Sequence, residues 1–106
     1  MTRPNLLFLL TDQQQAATTE LGSPCQMPHL RAVAERGTQF ERCYSANPIC
    51  SPSRASLFTG LLPHAHGMVD CTHTVDSYRA ELKPDLPFWP RALQQAGYHT
   101  AYFGKW

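Results

Sequence analysis

An α/β fold, with a largely parallel sheet flanked by helices, is predicted by three observations. Leu6 to Leu10 form an unbroken apolar run that ends in polar Thr11-Asp12-Gln13. Helix-like segments are closed by Gly37, Gly60 and Gly97. Together with the extended stretches between them they give the order strand, helix, strand, helix, helix, strand, which builds a sheet with helices packed against it. The 106 residues are 42% apolar and 16% charged, an ordinary globular composition that suits one small core or part of a larger one.

Each element has a local reason. Asn5 to Thr11 reads as a fully buried parallel strand, because a strand covered on both faces needs apolar side chains without alternation. Pro28 to Arg36 reads as a helix, with Pro28 in the first turn, Leu30, Val33 and Ala34 on one face, and Gly37 as the stop. Thr38 to Ser45 follows as a second strand. Ser51 is a suitable N-cap and Pro52 suits the first helical position, so a second helix is expected from Pro52 to Thr59, stopped by Gly60. Leu61 to Pro87, with its prolines and histidines, reads mainly as loop. Phe88 to Ala96 forms a third helix ended by Gly97, and Tyr98 to Phe103 alternates as a strand. In open sheets of this kind ligands collect beyond the carboxyl ends of the strands. Asp12, Cys50 and Lys105 each follow a strand-like run by a few residues, so all three are expected at one edge.

Charge and cysteine usage narrow the function. A net charge of +1 without clustered lysine or arginine gives no electrostatic footprint for nucleic acid. The Leu6–Leu10 run is too short to cross a bilayer, and Met1 to Asn5 lead into it without a small-residue cleavage site, so neither a membrane span nor a leader is expected and the chain is read as cytoplasmic. Cys25, Cys43, Cys50 and Cys71 form no Cys-x-x-Cys pair of the zinc or redox type. Cys25, Cys43 and Cys71 read as structural. His64 and His66 read as surface or supporting residues rather than a metal pair, and His29, His73 and His99 carry no motif.

The stretch Pro48-Ile49-Cys50-Ser51-Pro52-Ser53-Arg54-Ala55-Ser56-Leu57-Phe58-Thr59-Gly60 holds the chemistry. It sets a cysteine before the positive end of a helix and an arginine one turn later. Free N–H groups and the helix dipole favour negative charge there, and a guanidinium can grip two oxygens of a tetrahedral oxyanion, so sulfate and phosphate esters both fit. Cys50 taken alone would be a small buried residue, Arg54 and Lys105 solvated side chains, and Asp12 a polar residue closing a strand. A thiolate phosphatase would place five residues between cysteine and arginine, whereas three separate Cys50 from Arg54.

This stretch resembles the sulfatase signature built around Cys-x-Pro-Ser-Arg. Gly97-Tyr98-His99-Thr100-Ala101-Tyr102-Phe103-Gly104-Lys105-Trp106 is similar to that family's second motif, apart from the bulk of Phe103 and the absence of a histidine after the tryptophan. The resemblance covers nearly the whole chain and identifies residues 1–106 as the incomplete N-terminal portion of a sulfatase catalytic domain with an alkaline-phosphatase-like fold. It implies a sulfuric ester hydrolase in which Cys50 is converted by a formylglycine-generating enzyme to formylglycine, whose hydrated aldehyde attacks sulfur. It implies that Asp12, Gln13 and the modified Cys50 hold a divalent metal, Ca²⁺ before Mg²⁺ or Mn²⁺, that Arg54 holds the formylglycine hydroxyl, and that Lys105 touches the sulfate oxygens of a small-molecule or carbohydrate ester. Many relatives carry a second aspartate where Gln13 stands, and the Asp12-Gln13 pair instead resembles the choline-sulfatase and phosphonate-monoester-hydrolase branches. A phosphonate or phosphate ester hydrolase of the same superfamily is therefore the alternative, and a truncated non-catalytic binding domain is an alternative of another kind. The resemblance also implies that further metal ligands and catalytic groups come from later in the sequence, so these 106 residues alone are expected to be inactive.

Overall fold

The structure is a computed structural model that describes residues 3–19, 23–71 and 73–106. The chain divides into two compact units, Met1–Cys43 and Tyr44–Trp106.

In the first unit a single 3-10 turn, Ala16–Thr18, precedes helix α1, Pro28–Ala34. Pro28 opens α1 as expected, because its missing N–H is one the first turn cannot satisfy anyway. The helix ends earlier than Arg36, and the Gly37 N–H closes a turn on the Ala34 carbonyl at 3.3 Å. Its apolar face is not a core face: Leu30 is 46% and Val33 60% exposed.

The three stretches read as strands, 5–11, 38–45 and 98–103, lack regular secondary structure, the second bending at residues 41 and 42, and no strand forms among the described residues. The physical reason is that a strand exists only by pairing its N–H and C=O groups with a neighbouring chain. Among the described residues these stretches form no such ladder. The side chains meant for a doubly covered strand are consequently uncovered: Leu7 is 85% and Leu9 82% exposed.

The second unit is organised around helix α2, Cys50–Thr59. It begins before the expected Ser51 cap. Asn47 Oδ1 accepts from the Ile49 N–H at 2.7 Å, an Asx turn that starts the helix at Cys50 with Ile49 as N-cap. Pro52 then falls in the first turn, where its lack of an N–H is still harmless. At the other end Gly60 adopts φ 72° and donates to the Ser56 carbonyl at 2.8 Å, the left-handed stop that the sequence indicates.

The stretch Leu61–Pro87, of which residue 72 lies outside the described residues, is less irregular than expected. It contains helix α3, Pro63–His66, and a 3-10 turn, Ser77–Arg79. Pro63 opens α3 and Gly67, at φ 93°, closes it. The chain then folds back, with the Val69 N–H on the Arg79 carbonyl and the Lys83 N–H on the His66 carbonyl, both at 2.9 Å. This return buries Met68, Cys71 and Ala80 with Ala55 of α2.

Helix α4, Trp89–Gln95, is followed by Gly97 at φ 85°. It docks on α2 through Trp89, whose indole N–H donates to the Leu57 carbonyl at 3.0 Å. Phe58, 5% exposed, lies among four rings, with centroids of Phe88 and Trp89 at 5.5 Å, Trp106 at 5.6 Å and Tyr102 at 5.8 Å. These offset and edge-on contacts are the arrangements aromatic quadrupoles favour. They fasten the last residues of the chain to α2. Among the described residues no helix is long and apolar enough to cross a membrane.

Candidate active site

Cys50 is the first residue of α2 and is half-buried. Its thiol is held below the ordinary cysteine range, chiefly by a hydrogen bond from Cys71. Burial works against this, while the Ser51 N–H, the Lys105 charge and the Ser51 hydroxyl act with it. The two sulfurs are 3.4 Å apart, and the Ser51 hydroxyl reaches the Cys71 sulfur at 3.8 Å. A helix N-terminus with a cation nearby stabilises an anion at this position, whatever its chemical identity.

Arg54 follows one turn later and is buried, 7% exposed. Its Nη1 donates to the Lys105 carbonyl at 3.0 Å, and the Tyr102 hydroxyl donates to the same oxygen. Gly104, at φ 99°, takes the backbone through the turn that presents this carbonyl. Cys50, Arg54 and Lys105, far apart in sequence, are thereby brought together by α2, the aromatic cluster and one shared carbonyl. Asp12 and Gln13 belong to the other unit and are exposed. Gln13 sits at φ 54°, a left-handed conformation uncommon for a residue with a side chain.

The two histidines expected at the surface or in support of the site divide between those places. His64 is exposed as expected, but His66 is fully buried. The Met68 N–H donates to His66 Nδ1 at 3.2 Å, so the neutral ring carries its proton on Nε2 and gives it to the Ser56 hydroxyl at 3.0 Å. Burial pushes the imidazole below its ordinary range; a backbone hydrogen bond with Pro52 opposes this, and the charges of Lys83 and His64 assist it. His66 therefore ties α3 to the helix that carries Cys50 and Arg54. The bracketing Pro63 and Gly67 are the sequence signal that could have placed it on a helix.

Cys71 is buried as a structural cysteine should be, whereas Cys25 and Cys43 are exposed. Two concavities, of about 870 and 590 Å³, are lined by other residues, the first by Met27, Leu30 and Phe40 and the second by Thr59, Phe88 and Arg91.

Cys50 at a helix N-terminus, Arg54 one turn later and the Lys105 charge acting on the thiol make this end of α2 favourable to negative charge. The sulfatase family model matches residues 4–106, and the chain belongs to the sulfatase family, whose fold is of the alkaline-phosphatase-like α/β class. It is 38% identical to an N-acetylglucosamine-6-O-sulfatase of Bacteroides thetaiotaomicron, across 98% of this chain and 18% of that protein. It is 36% identical to the extracellular sulfatase SULF-1 homolog of Drosophila melanogaster, across 98% of this chain and 9% of the relative. With the putative extracellular sulfatase Sulf-1 homolog of Caenorhabditis elegans the identity is 39%, across 96% and 14%. The chain thus spans less than a fifth of the length of these relatives. No solved structure matches. The expectation of a cytoplasmic protein is overturned by the two relatives named as extracellular. The pattern that prompted it, around an apolar run whose preceding Met1 and Thr2 lie outside the described residues, is no guide to compartment.

Proposed function

We propose that the protein carrying this chain hydrolyses a sulfate monoester, with Cys50 as the formylglycine precursor and Arg54 and Lys105 as the groups that receive the sulfate charge. The observation that carries this reading is the convergence of the three residues at the start of α2, with the Arg54 guanidinium anchored on the Lys105 carbonyl at 3.0 Å. A guanidinium anchored in this way has its orientation set before substrate arrives. The helix N-terminus supplies backbone donors to an oxyanion in the same place. Formylglycine at position 50 would supply a hydrated aldehyde as the nucleophile, made by a formylglycine-generating enzyme.

Asp12 and Gln13 offer a carboxylate and an amide oxygen, a hard donor set that fits Ca²⁺, with Mg²⁺ or Mn²⁺ as alternatives. Such an ion would supply polarisation of the sulfate group. Among the described residues no three His, Cys, Asp or Glu side chains are grouped to hold a metal, so these two would form part of a larger oxygen shell. The stretches 5–11, 38–45 and 98–103 would be strands of the family's sheet in the complete catalytic domain, with Asp12 at the end of the first. Relatives named for sulfated amino sugars support a carbohydrate sulfate as substrate.

The test is a peptide mass measurement on the complete protein from its own host, paired with turnover of a sulfate and a phosphonate ester. Formylglycine at position 50 lightens the peptide by about 18 Da relative to cysteine, and Cys50→Ala should abolish sulfate release. Activity with an unmodified thiol would refute the nucleophile. Preference for the phosphonate ester would favour the alternative that Gln13 suggests.

A further inference from the structure

We infer that Cys50 and Cys71 form a reversible disulfide, an oxidative modification of Cys50 that competes with any other fate of that residue. The sulfurs already touch at 3.4 Å, and a disulfide brings them to a bonded separation of about 2.05 Å. Both backbones are held. Cys50 is fixed as the first residue of α2 by the Asn47–Ile49 turn. Cys71 is fixed by Asp70, whose Oδ1 accepts from the Cys71 N–H at 2.7 Å and from the Thr74 hydroxyl at 3.0 Å, while that hydroxyl also donates to the Cys71 carbonyl at 2.9 Å.

The two thiols differ in access, and this sets the order of events. Cys71 is 4% exposed and cannot meet an oxidant in solution, whereas half-buried Cys50 can. With a low-molecular-weight disulfide such as oxidised glutathione, the Cys50 thiolate attacks one sulfur, the glutathione S–S bond breaks and one glutathione thiolate leaves. The Cys71 thiolate then attacks the Cys50 sulfur of the mixed disulfide and expels the second glutathione. Two protein thiols are oxidised by two electrons, and two glutathione thiols carry away those electrons and the two protons. Excess reduced thiol reverses both steps. Cys25 and Cys43 are free and exposed, and among the described residues the close sulfur pair is that of Cys50 and Cys71.

The disulfide does not depend on the proposed function, but one consequence does. While it is closed, Cys50 has no free thiol for conversion to formylglycine, and once converted it has no sulfur with which to close.

The complete protein is prepared in a host lacking formylglycine-generating activity and equilibrated with mixtures of reduced and oxidised glutathione. The protein is then unfolded in denaturant containing N-ethylmaleimide, so that every free thiol, buried Cys71 included, is blocked, and unreduced peptides are mapped by mass. The expected result is joint loss of label from Cys50 and Cys71, with a cross-linked peptide pair lighter by two hydrogens, while Cys25 and Cys43 stay labelled. In Cys71→Ser, Cys50 should instead carry a stable glutathione adduct. Labelling of Cys50 that tracks Cys25 and Cys43 at every redox ratio would overturn the inference, as would pairing of Cys50 with either of them. The wild-type map decides this even if the variant does not fold. Absence of an aldehyde in protein from its own host counts against the proposed function and leaves the disulfide standing.

Discussion

Replacing Phe58 with alanine should damage stability and activity together. The ring is 5% exposed and contacts four aromatic neighbours at 5.5 to 5.8 Å. Deleting a buried phenylalanine costs about 3–5 kcal/mol through lost burial and the cavity left behind. Each ring pair adds about 0.5–1.5 kcal/mol beyond area, but the four share one ring and do not sum, so about 4 kcal/mol is the expected loss. Two of the partners, Tyr102 and Trp106, flank Lys105 in sequence, and Tyr102 also donates to its carbonyl. Loosening them should misplace Lys105, and misplacement of about 1 Å costs on the order of a hundredfold in turnover. Urea unfolding of the complete protein, followed by tryptophan fluorescence, reads the first effect, because Trp89 and Trp106 stack on Phe58 and report its removal directly. Sulfate-ester kcat/KM reads the second. Phe58→Leu, which keeps most of the volume, should lose only about 1–2 kcal/mol. A Phe58→Ala protein within about 1 kcal/mol of wild type, with unchanged fluorescence, would show that this cluster does not hold the second motif on α2.

Gly60→Ala should cost about 1–2 kcal/mol in thermal or urea unfolding, since φ is 72° and nothing lies within 4 Å of the added methyl, leaving backbone strain alone. Gly67→Ala should cost more, because its methyl would also meet the Glu81 carbonyl at 3.1 Å. His66 is held neutral by burial, so its folded pKa lies below the ordinary 6.5. The unfolded chain then binds a proton first, and stability should fall as pH drops below about 6.5 and level off once the folded ring also titrates. His66→Gln should flatten that part of the pH profile, and an unchanged slope would remove His66 as its source. Arg54→Lys should lower sulfate-ester turnover on the order of a hundredfold, because an ammonium cannot hold the Lys105 carbonyl and direct further N–H groups as a planar fork does.

Helices were legible where their signals are local. Pro28 and Gly37 bracket α1, Gly60 stops α2 and Gly97 follows α4, each through a backbone preference that needs no distant partner. Strand pairing is not local: Leu6 to Leu10 record what a strand would bury, not which chain would pair with it, and no ladder forms among the described residues. Cys50, Arg54 and Lys105 were legible as chemistry, and their assembly in one unit follows from a carbonyl contact and an aromatic cluster that no residue type announces. Which of the two expected places His66 takes, surface or support, was not legible, because a histidine's burial depends on what it meets, here the Ser56 hydroxyl and the Met68 N–H. The contact between Cys50 and Cys71 likewise depends on the fold-back after α3, in a stretch read as loop.

The anchor of Arg54 is a main-chain oxygen, and every amino acid at position 105 carries that oxygen. Position 105 therefore has two separable duties, one written in the backbone and one in the side chain. Exchanging the lysine for a neutral or shorter residue would retune the charge offered to a substrate while leaving the arginine held where it is. A lineage could thus explore new esters at this residue without dismantling the site around it.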